Sequence, residues 1–122
     1  MIDSAWAHEF AREWIAAWNA HDIERILSHY TEDFEMSSPL IIERIQEPSG
    51  KLKGKDQIRS YWQIGLAALP PLKFELLDVF ASVDSIVIYY RSIHRKMVCE
   101  VLFFNAQRQA IWGVAHYGGA AE

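Results

Sequence analysis

The sequence predicts an α+β domain in which three helices pack on a curved, mainly antiparallel sheet. Three observations support this prediction. In the first half of the chain, apolar residues recur at helical spacing in three segments that follow capping residues. The second half holds four segments rich in β-branched and aromatic residues, separated by short joins. The length of 122 residues is typical of one domain, which we assign to residues 1–122.

The first predicted helix spans residues 5–20 and can be capped by Asp3 or Ser4. Its apolar face holds Trp6, Phe10, Trp14, Ala17 and Trp18. Asp22 is a suitable cap for a short second helix, which we expect to end near Tyr30. The buried side of this second helix is expected to contain Ile23, Ile26, Leu27 and Tyr30.

Polar and apolar residues then alternate over residues 32–39, which predicts a short strand that ends before Pro39. Residues 40–54 are expected to form a long loop, in which residues 40–45 could add a short strand. The third helix begins after Gly54 and ends at Pro70 and Pro71. Its buried side is predicted to consist of Ile58, Tyr61, Trp62, Gly65, Leu66 and Leu69.

Four longer strands are predicted at residues 73–81, 85–93, 97–104 and 109–117. The joins between them are short, so each strand should pair antiparallel with the next. The helices cannot bury their apolar faces alone and are therefore expected to cover one face of this sheet.

The formal net charge of −4 argues against binding to nucleic acid, which requires a basic surface. The single cysteine, Cys99, cannot form an internal disulfide bond. No segment resembles a signal peptide, and no apolar run approaches the roughly 20 residues that cross a bilayer. We therefore expect a soluble, cytoplasmic protein without a membrane or nucleic-acid partner.

Metal and nucleotide sites are also not expected. The five histidines are scattered and lack the spacing of metal ligands. The glycine-rich loops that bind nucleotide phosphates do not occur, and Ser37 and Ser38 lack the flanking glycines of a nucleophile elbow. The sequence thus predicts no metal and no cofactor. Its unusual feature is aromatic content, with 5 Trp, 5 Tyr and 6 Phe that must line a core, a pocket or an interface.

Two passages resemble the nuclear transport factor 2-like superfamily. The first is Trp14-Ile-Ala-Ala-Trp-Asn-Ala-His-Asp22 followed by Tyr30-Thr-Glu-Asp-Phe-Glu-Met-Ser-Ser-Pro39, and the second is Gly54-Lys-Asp-Gln-Ile-Arg-Ser-Tyr-Trp62. With the closing strands, the resemblance covers nearly the whole chain. It implies a cone-shaped barrel around a small-molecule pocket, but it implies no single activity, because this fold serves isomerases, SnoaL-like cyclases, dehydratases, epoxide hydrolases and binding domains.

A comparison with ketosteroid isomerase, a member of this superfamily, identifies a candidate catalytic residue. The resemblance places that enzyme's catalytic tyrosine on Trp14, its general base on Ser38 and its protonated aspartate on or next to Glu100. Serine is no proton acceptor at neutral pH without a partner, so the usual steroid isomerase mechanism should be absent. Glu100 retains a carboxyl group and is the predicted catalytic residue.

Two alternatives remain open for Glu100. If it shares an inward face with Leu102 and Phe104, burial would raise its pKa and make it a proton donor near pH 7. Otherwise it pairs with Arg91 or Arg95, or it points to solvent.

The remaining candidate site residues are expected to bind a small hydrophobic or carbonyl-containing molecule. They are Trp14, Trp18, Tyr30, Met36, Ser38, Trp62, Leu102 and His116. For His116, the sequence permits either a place in the cavity or a place on the outer face of the sheet. The leading hypothesis is a cofactor-independent lyase, isomerase or cyclase that uses Glu100 as acid and base; the alternative is a non-catalytic ligand-binding or dimerisation module.

A homodimer is expected in both cases. The predicted outer face of the sheet contains Val101, Phe103 and either His116 or Tyr117, which is too apolar for a surface in water. The resemblance implies the same, since superfamily members usually pair through this face.

Overall fold

The computed structural model describes residues 1–119, so residues 120–122 of the predicted domain lie outside the described part. Within residues 1–119 there are four α-helices, six strands and one short 3₁₀ turn (Ile93–Arg95). The helices are α1 (Ser4–Asn19), α2 (Ile23–Leu27), α3 (Pro39–Ile45) and α4 (Lys55–Ala67). The strands are β1 (Tyr30–Ser37), β2 (Lys51–Lys53), β3 (Glu75–Ala81), β4 (Ser85–Arg91), β5 (Met97–Phe104) and β6 (Ala110–Tyr117).

The six strands form one sheet in the order β2-β1-β6-β5-β4-β3. All neighbouring pairs are antiparallel except β1 and β6, which run parallel. The α+β class and the mainly antiparallel sheet are therefore confirmed. The sheet is curved, but β2 and β3 remain at its two edges, so it does not close into a barrel.

The capping residues explain where the first two helices begin. Asp3 accepts a hydrogen bond from the Trp6 backbone N–H at 3.4 Å, and Asp22 accepts one from the Arg25 backbone N–H at 3.2 Å. The second helix is shorter than predicted, because Tyr30 does not end it but begins β1, where it lies opposite Ala110 of β6. Pairing with the sheet overrides the helical spacing at that position.

The predicted loop at residues 40–54 is also wrong in part. Pro39–Ile45 forms a helix, so four helices are present in residues 1–119 instead of three. Ser38 caps this helix by accepting a hydrogen bond from the Leu40 backbone N–H at 3.2 Å, and Pro39 occupies its first turn. A cap followed by proline is a helix-start signal, but the alternating residues before Pro39 also fit a strand that ends there, which was the prediction. Lys51–Lys53 then adds a short edge strand beside β1.

The core lies between the helices and the inner face of the sheet. On α1, one face buries Ala7, Phe10, Ala11, Trp14, Ile15, Ala17 and Trp18. On β5, burial alternates residue by residue, and the inward side chains are Val98, Glu100, Leu102 and Phe104. This alternation places a carboxyl group in a row of apolar side chains.

No helix in residues 1–119 is both long and apolar enough to cross a membrane.

Candidate functional site

A cavity of about 250 Å³ lies between α1, α4 and the inner face of the sheet. Most of its wall is aromatic or apolar, and the aromatic members are Trp14, Trp18, Tyr61, Trp62, Phe74, Tyr90 and Tyr117. Several lining residues are exposed to solvent, including Arg44, Ala68, Pro70, His94 and Lys96, and they mark the mouth of the cavity. An apolar cavity with a few polar groups is the usual form of a small-molecule site.

Glu100 lies at the inner end of this cavity, and only 7% of its surface is exposed. It sits between Ile88 of β4 and Ala115 of β6 in the middle of the sheet. Gly113 of β6 lies beside its carboxyl, since a Cβ atom on Gly113 would be in ordinary van der Waals contact with Glu100 Oε2 at 3.5 Å. The strand register thus places the carboxyl in the cavity wall.

Burial raises the pKa of Glu100 to about 8. Within residues 1–119, no side chain forms an ion pair or a close hydrogen bond with its carboxyl group. The predicted alternative partner Arg91 instead pairs with Glu75 at 2.7 Å, and Arg95 is exposed in the 3₁₀ turn. The inward alternative for Glu100 is thus the one that the structure adopts. Its carboxyl is mainly protonated at neutral pH.

Three tyrosines share the cavity with Glu100. Burial raises the pKa of Tyr61 and of Tyr90, and it raises the pKa of Tyr117 to about 12. The negative charge that Glu100 carries when ionised raises the pKa of all three further. Their hydroxyl groups consequently stay protonated at neutral pH and are available as hydrogen-bond donors inside the cavity.

Trp14 and Tyr30, both predicted as ligand-binding residues, have different places. Trp14 lines the cavity, and its indole Nε1 donates a hydrogen bond of 2.9 Å to the Tyr30 hydroxyl. Tyr30 is buried and does not line the cavity, because it packs against Phe34 and Trp62. It positions Trp14 and contributes no surface to this cavity.

Four other predicted residues line the cavity. Trp18 and Trp62 meet edge to face with ring centroids 5.0 Å apart, while Met36 and Ser38 project from the end of β1 and the start of α3. Ser38 has a structural role as well, since it caps α3. The buried Trp18 Nε1 has no hydrogen-bond partner within the described residues.

The predictions for Leu102 and His116 as ligand-binding residues do not agree with the structure. Leu102 is buried in the core one inward position beyond Glu100, but it does not line the cavity. His116 is exposed on the outer face, because Ala115 takes the inward position on β6 and side chains alternate along a strand.

Several lining residues were missed by the sequence analysis. Tyr90 could have been found, because Ile86, Ile88 and Tyr90 occupy alternate positions of β4 and face inward together. Tyr61 belongs to the buried face of the third predicted helix beside Trp62. Arg44 gave no signal, since its segment was predicted as a loop or strand and its position depends on α3.

No group of three or more His, Cys, Asp or Glu residues within residues 1–119 is arranged to hold a metal ion.

Comparisons with known proteins identify the family. Residues 11–118 match the profile described as the SnoaL-like domain. The chain belongs to the SnoaL-like family. A solved SnoaL-like protein of unknown function from Burkholderia thailandensis E264 is 47% identical to it, with a TM-score of 0.93 and coverage of 97% of this chain and 98% of that one. No match was found among curated proteins.

More distant solved structures share the SnoaL-like fold alone. A putative isomerase of the SnoaL-like family from Agrobacterium tumefaciens C58 is 18% identical, with a TM-score of 0.75 and coverage of 94% of this chain and 99% of that one. SalBIII, described as an epoxide hydrolase/cyclase-like enzyme in pyran ring formation in the polyether salinomycin, is 16% identical. Its TM-score is 0.74, with coverage of 97% of this chain and 95% of SalBIII.

Proposed function

We propose that this SnoaL-like protein is a cofactor-independent enzyme of the lyase, isomerase or cyclase type, in which Glu100 transfers protons to and from a small apolar or carbonyl-containing substrate. The observation that supports it is the buried, unpaired carboxyl at the inner end of an apolar cavity. A carboxyl group that titrates near the working pH is suited to act as both acid and base.

The tyrosines provide a second part of the proposed mechanism. A hydroxyl group of Tyr61, Tyr90 or Tyr117 donates a hydrogen bond to the oxygen of a bound carbonyl compound and stabilises the negative charge that develops there. The ionised fraction of Glu100 accepts a proton from the carbon next to that carbonyl and returns it to another atom of the same substrate. The carboxyl is regenerated, and no cofactor is consumed.

A non-catalytic ligand-binding module is the alternative function. It is supported by the lack of a second carboxyl group among the residues that line the cavity, whereas acid–base catalysis often divides its two roles between two groups. The similar folds described as a putative isomerase and as an epoxide hydrolase/cyclase-like enzyme favour the catalytic proposal.

A reaction screen with Glu100→Gln and Glu100→Asp tests the catalytic proposal. The screen offers a β,γ-unsaturated ketone for isomerisation, a β-hydroxy ketone for dehydration and an epoxide for ring opening. We expect turnover of at least one class, a loss of about 100-fold or more in Glu100→Gln, and partial activity in Glu100→Asp. Binding without turnover of any class would support the alternative, and full activity of Glu100→Gln would contradict the role of Glu100.

The outer face of the sheet supports the proposed homodimer. Phe103 and Trp112 stack there with ring centroids 5.0 Å apart, and 54% of Phe80 and 41% of Trp112 are exposed. Val87, Val101 and Val114 lie next to one another across the same face, as the strand register shows. We propose that a second copy covers this surface, since a contiguous apolar patch is costly in water.

A further inference from the structure

We propose that the substrate of this cavity carries an anionic group, such as a carboxylate, which is held at the cavity mouth by Arg44 with Lys96. This inference rests on the proposed function, because it names the class of molecule that the same cavity accepts. A substrate of this class has an apolar body that fills the aromatic interior and an acidic end that stays at the mouth.

Arg44 is held at the mouth by its surroundings. It projects from the last turn of α3, and its Nη1 atom lies 3.1 Å from the position that a Cβ atom on Gly65 would occupy. The guanidinium therefore lies across the one position of α4 in this region that has no side chain. Burial raises the pKa of Tyr61 and Tyr117, and the nearby positive charge of Arg44 opposes the rise in both.

The charge of Arg44 is not balanced by the protein. No carboxylate in residues 1–119 forms an ion pair with it, whereas Arg25, Arg59 and Arg91 each pair with a glutamate. A guanidinium presents donors that match a carboxylate in geometry, so an arginine without a carboxylate partner at a cavity mouth is suited to bind one.

Lys96 adds a second positive charge to the lining. Its Nζ atom lies 5.6 Å from the centre of the Tyr117 ring, which is a cation–π distance and places the ammonium over a wall of the cavity. The lining contains one carboxyl, Glu100, and burial keeps it mainly protonated at neutral pH because its pKa is about 8. The lining is thus cationic at neutral pH, although the whole chain has a net charge of −4.

The cavity lining and the whole chain thus have charges of opposite sign, and this difference makes the mouth selective for anions. A net negative surface repels anions in general, while a local cationic mouth attracts those that can reach it. Neutral molecules of the same shape gain the apolar contacts but not the contact with Arg44. Arg44 is therefore a specificity-determining residue and not a catalytic one.

Matched pairs of neutral and anionic probes test the inference. The probes are benzoate with benzamide and 2-naphthoate with 2-naphthamide, whose members have similar size and differ in charge. Isothermal titration calorimetry at pH 7 measures their dissociation constants for the wild type, Arg44→Gln, Lys96→Gln and Arg12→Gln. Arg12 is exposed on α1 outside the lining, so its substitution removes the same charge as a control.

We expect the wild type and Arg12→Gln to bind the anion of at least one pair about tenfold more tightly than its amide. Arg44→Gln should lose most of this preference while it keeps its affinity for the amide, and Lys96→Gln should lose a smaller part. Equal binding of anion and amide by the wild type overturns the inference, as does an unchanged preference in Arg44→Gln. If the wild type binds none of the four probes, the inference is also overturned.

The variant Glu100→Gln separates this inference from the proposed function. If Glu100 is mainly protonated at pH 7, Glu100→Gln keeps the wild-type preference for the anion. If the anion preference of the wild type increases severalfold in Glu100→Gln, Glu100 is ionised in the wild type, and its proposed acid role fails while the cationic mouth remains. Loss of activity in Glu100→Gln without any anion preference leaves the proposed function intact and rejects the anionic substrate.

Discussion

The indole Nε1 of Trp14 donates a hydrogen bond of 2.9 Å to the hydroxyl of Tyr30, and this bond joins the cavity wall to the start of β1. Only 2% of each residue is exposed. Water therefore cannot reach these two groups to take the place of a lost hydrogen-bond partner. Removing the acceptor leaves a buried N–H group unsatisfied.

We predict that Tyr30→Phe destabilises the fold by about 1–3 kcal/mol, because a buried donor then lacks its acceptor. Urea unfolding monitored by far-ultraviolet circular dichroism measures the change. Tyr89→Phe is the matched control, since Tyr89 is only half-buried on the outer face of the sheet. Equal stability of Tyr30→Phe and the wild type would contradict the structural role of this hydrogen bond.

Gly113 and Gly65 differ in the space beside them, and we predict opposite effects on stability when each is replaced by alanine. A Cβ atom on Gly113 would lie 3.0 Å from Leu102 Cδ2 in the core, whereas one on Gly65 would lie 3.1 Å from the flexible end of Arg44. We expect Gly113→Ala to destabilise the protein by about 1–3 kcal/mol through overpacking. Gly65→Ala should stabilise it by about 0.5–1 kcal/mol, because alanine favours the helix interior and Arg44 can move.

The same unfolding experiment measures both glycine variants. Gly65→Ala should also weaken anion binding at the mouth, since the added methyl group displaces the Arg44 guanidinium. A destabilised Gly65→Ala together with a stabilised Gly113→Ala would show that the space around these two positions is not as described.

The elements that were predicted correctly are those with strong local signals. Helical spacing and a cap placed α1, and the short joins required the antiparallel pairing of β3 to β6. Tyr30 and the segment Pro39–Ile45 were assigned wrongly because each has a local pattern that fits two structures. Pairing between β1 and β6, which are distant in sequence, decides the first case, and the cap at Ser38 decides the second.

The pH dependence of stability provides a further prediction for Glu100. Its ordinary pKa of 4.5 applies to the unfolded chain, and its folded value is about 8. Between these values the unfolded chain releases the proton while the folded protein keeps it, so folding becomes less favourable as pH rises. Below 4.5 the carboxyl is protonated in both states, and above about 8 the loss is complete.

Relative to Glu100→Gln, the wild type should therefore lose about 1.4 kcal/mol per pH unit across this window. Unfolding free energies of both proteins at pH 5 and pH 9 measure the difference, and other titrating groups cancel in the comparison. Parallel pH profiles for the two proteins would mean that burial does not raise the pKa of Glu100.

The proposed homodimer predicts a specific effect of charge on the outer face. Trp112→Lys should convert the dimer into a monomer, because the lysine would bury a charge in the apolar interface. Ile64→Lys is the control, since Ile64 is 50% exposed on α4, away from this face. Light scattering after size exclusion gives the mass. A monomeric wild type, or a dimer that survives Trp112→Lys, would contradict the proposed interface.

The site was less predictable than the fold, because a cavity depends on how distant elements meet. Strand alternation places Glu100 inward, so its position could be inferred from the sequence. The position of Leu102 outside the cavity could not be inferred in this way, because inward residues of one strand face either the cavity or the packed core. Arg44 could not be inferred either. It lies at the mouth because α3, which was not predicted, carries it there and because Gly65 of α4 has no side chain where its guanidinium lies.

The most direct test of the central claim is a nuclear magnetic resonance titration of the Glu100 side-chain carboxyl carbon, assigned by comparison with Glu100→Gln. We predict a midpoint near pH 8, as expected for a carboxyl group that is buried without a cation. Such a value would establish a proton donor that is mainly neutral at physiological pH. A midpoint near the ordinary value of 4.5 would show that water or a charged partner reaches the carboxyl, and it would contradict the proposal that Glu100 acts as both acid and base at neutral pH.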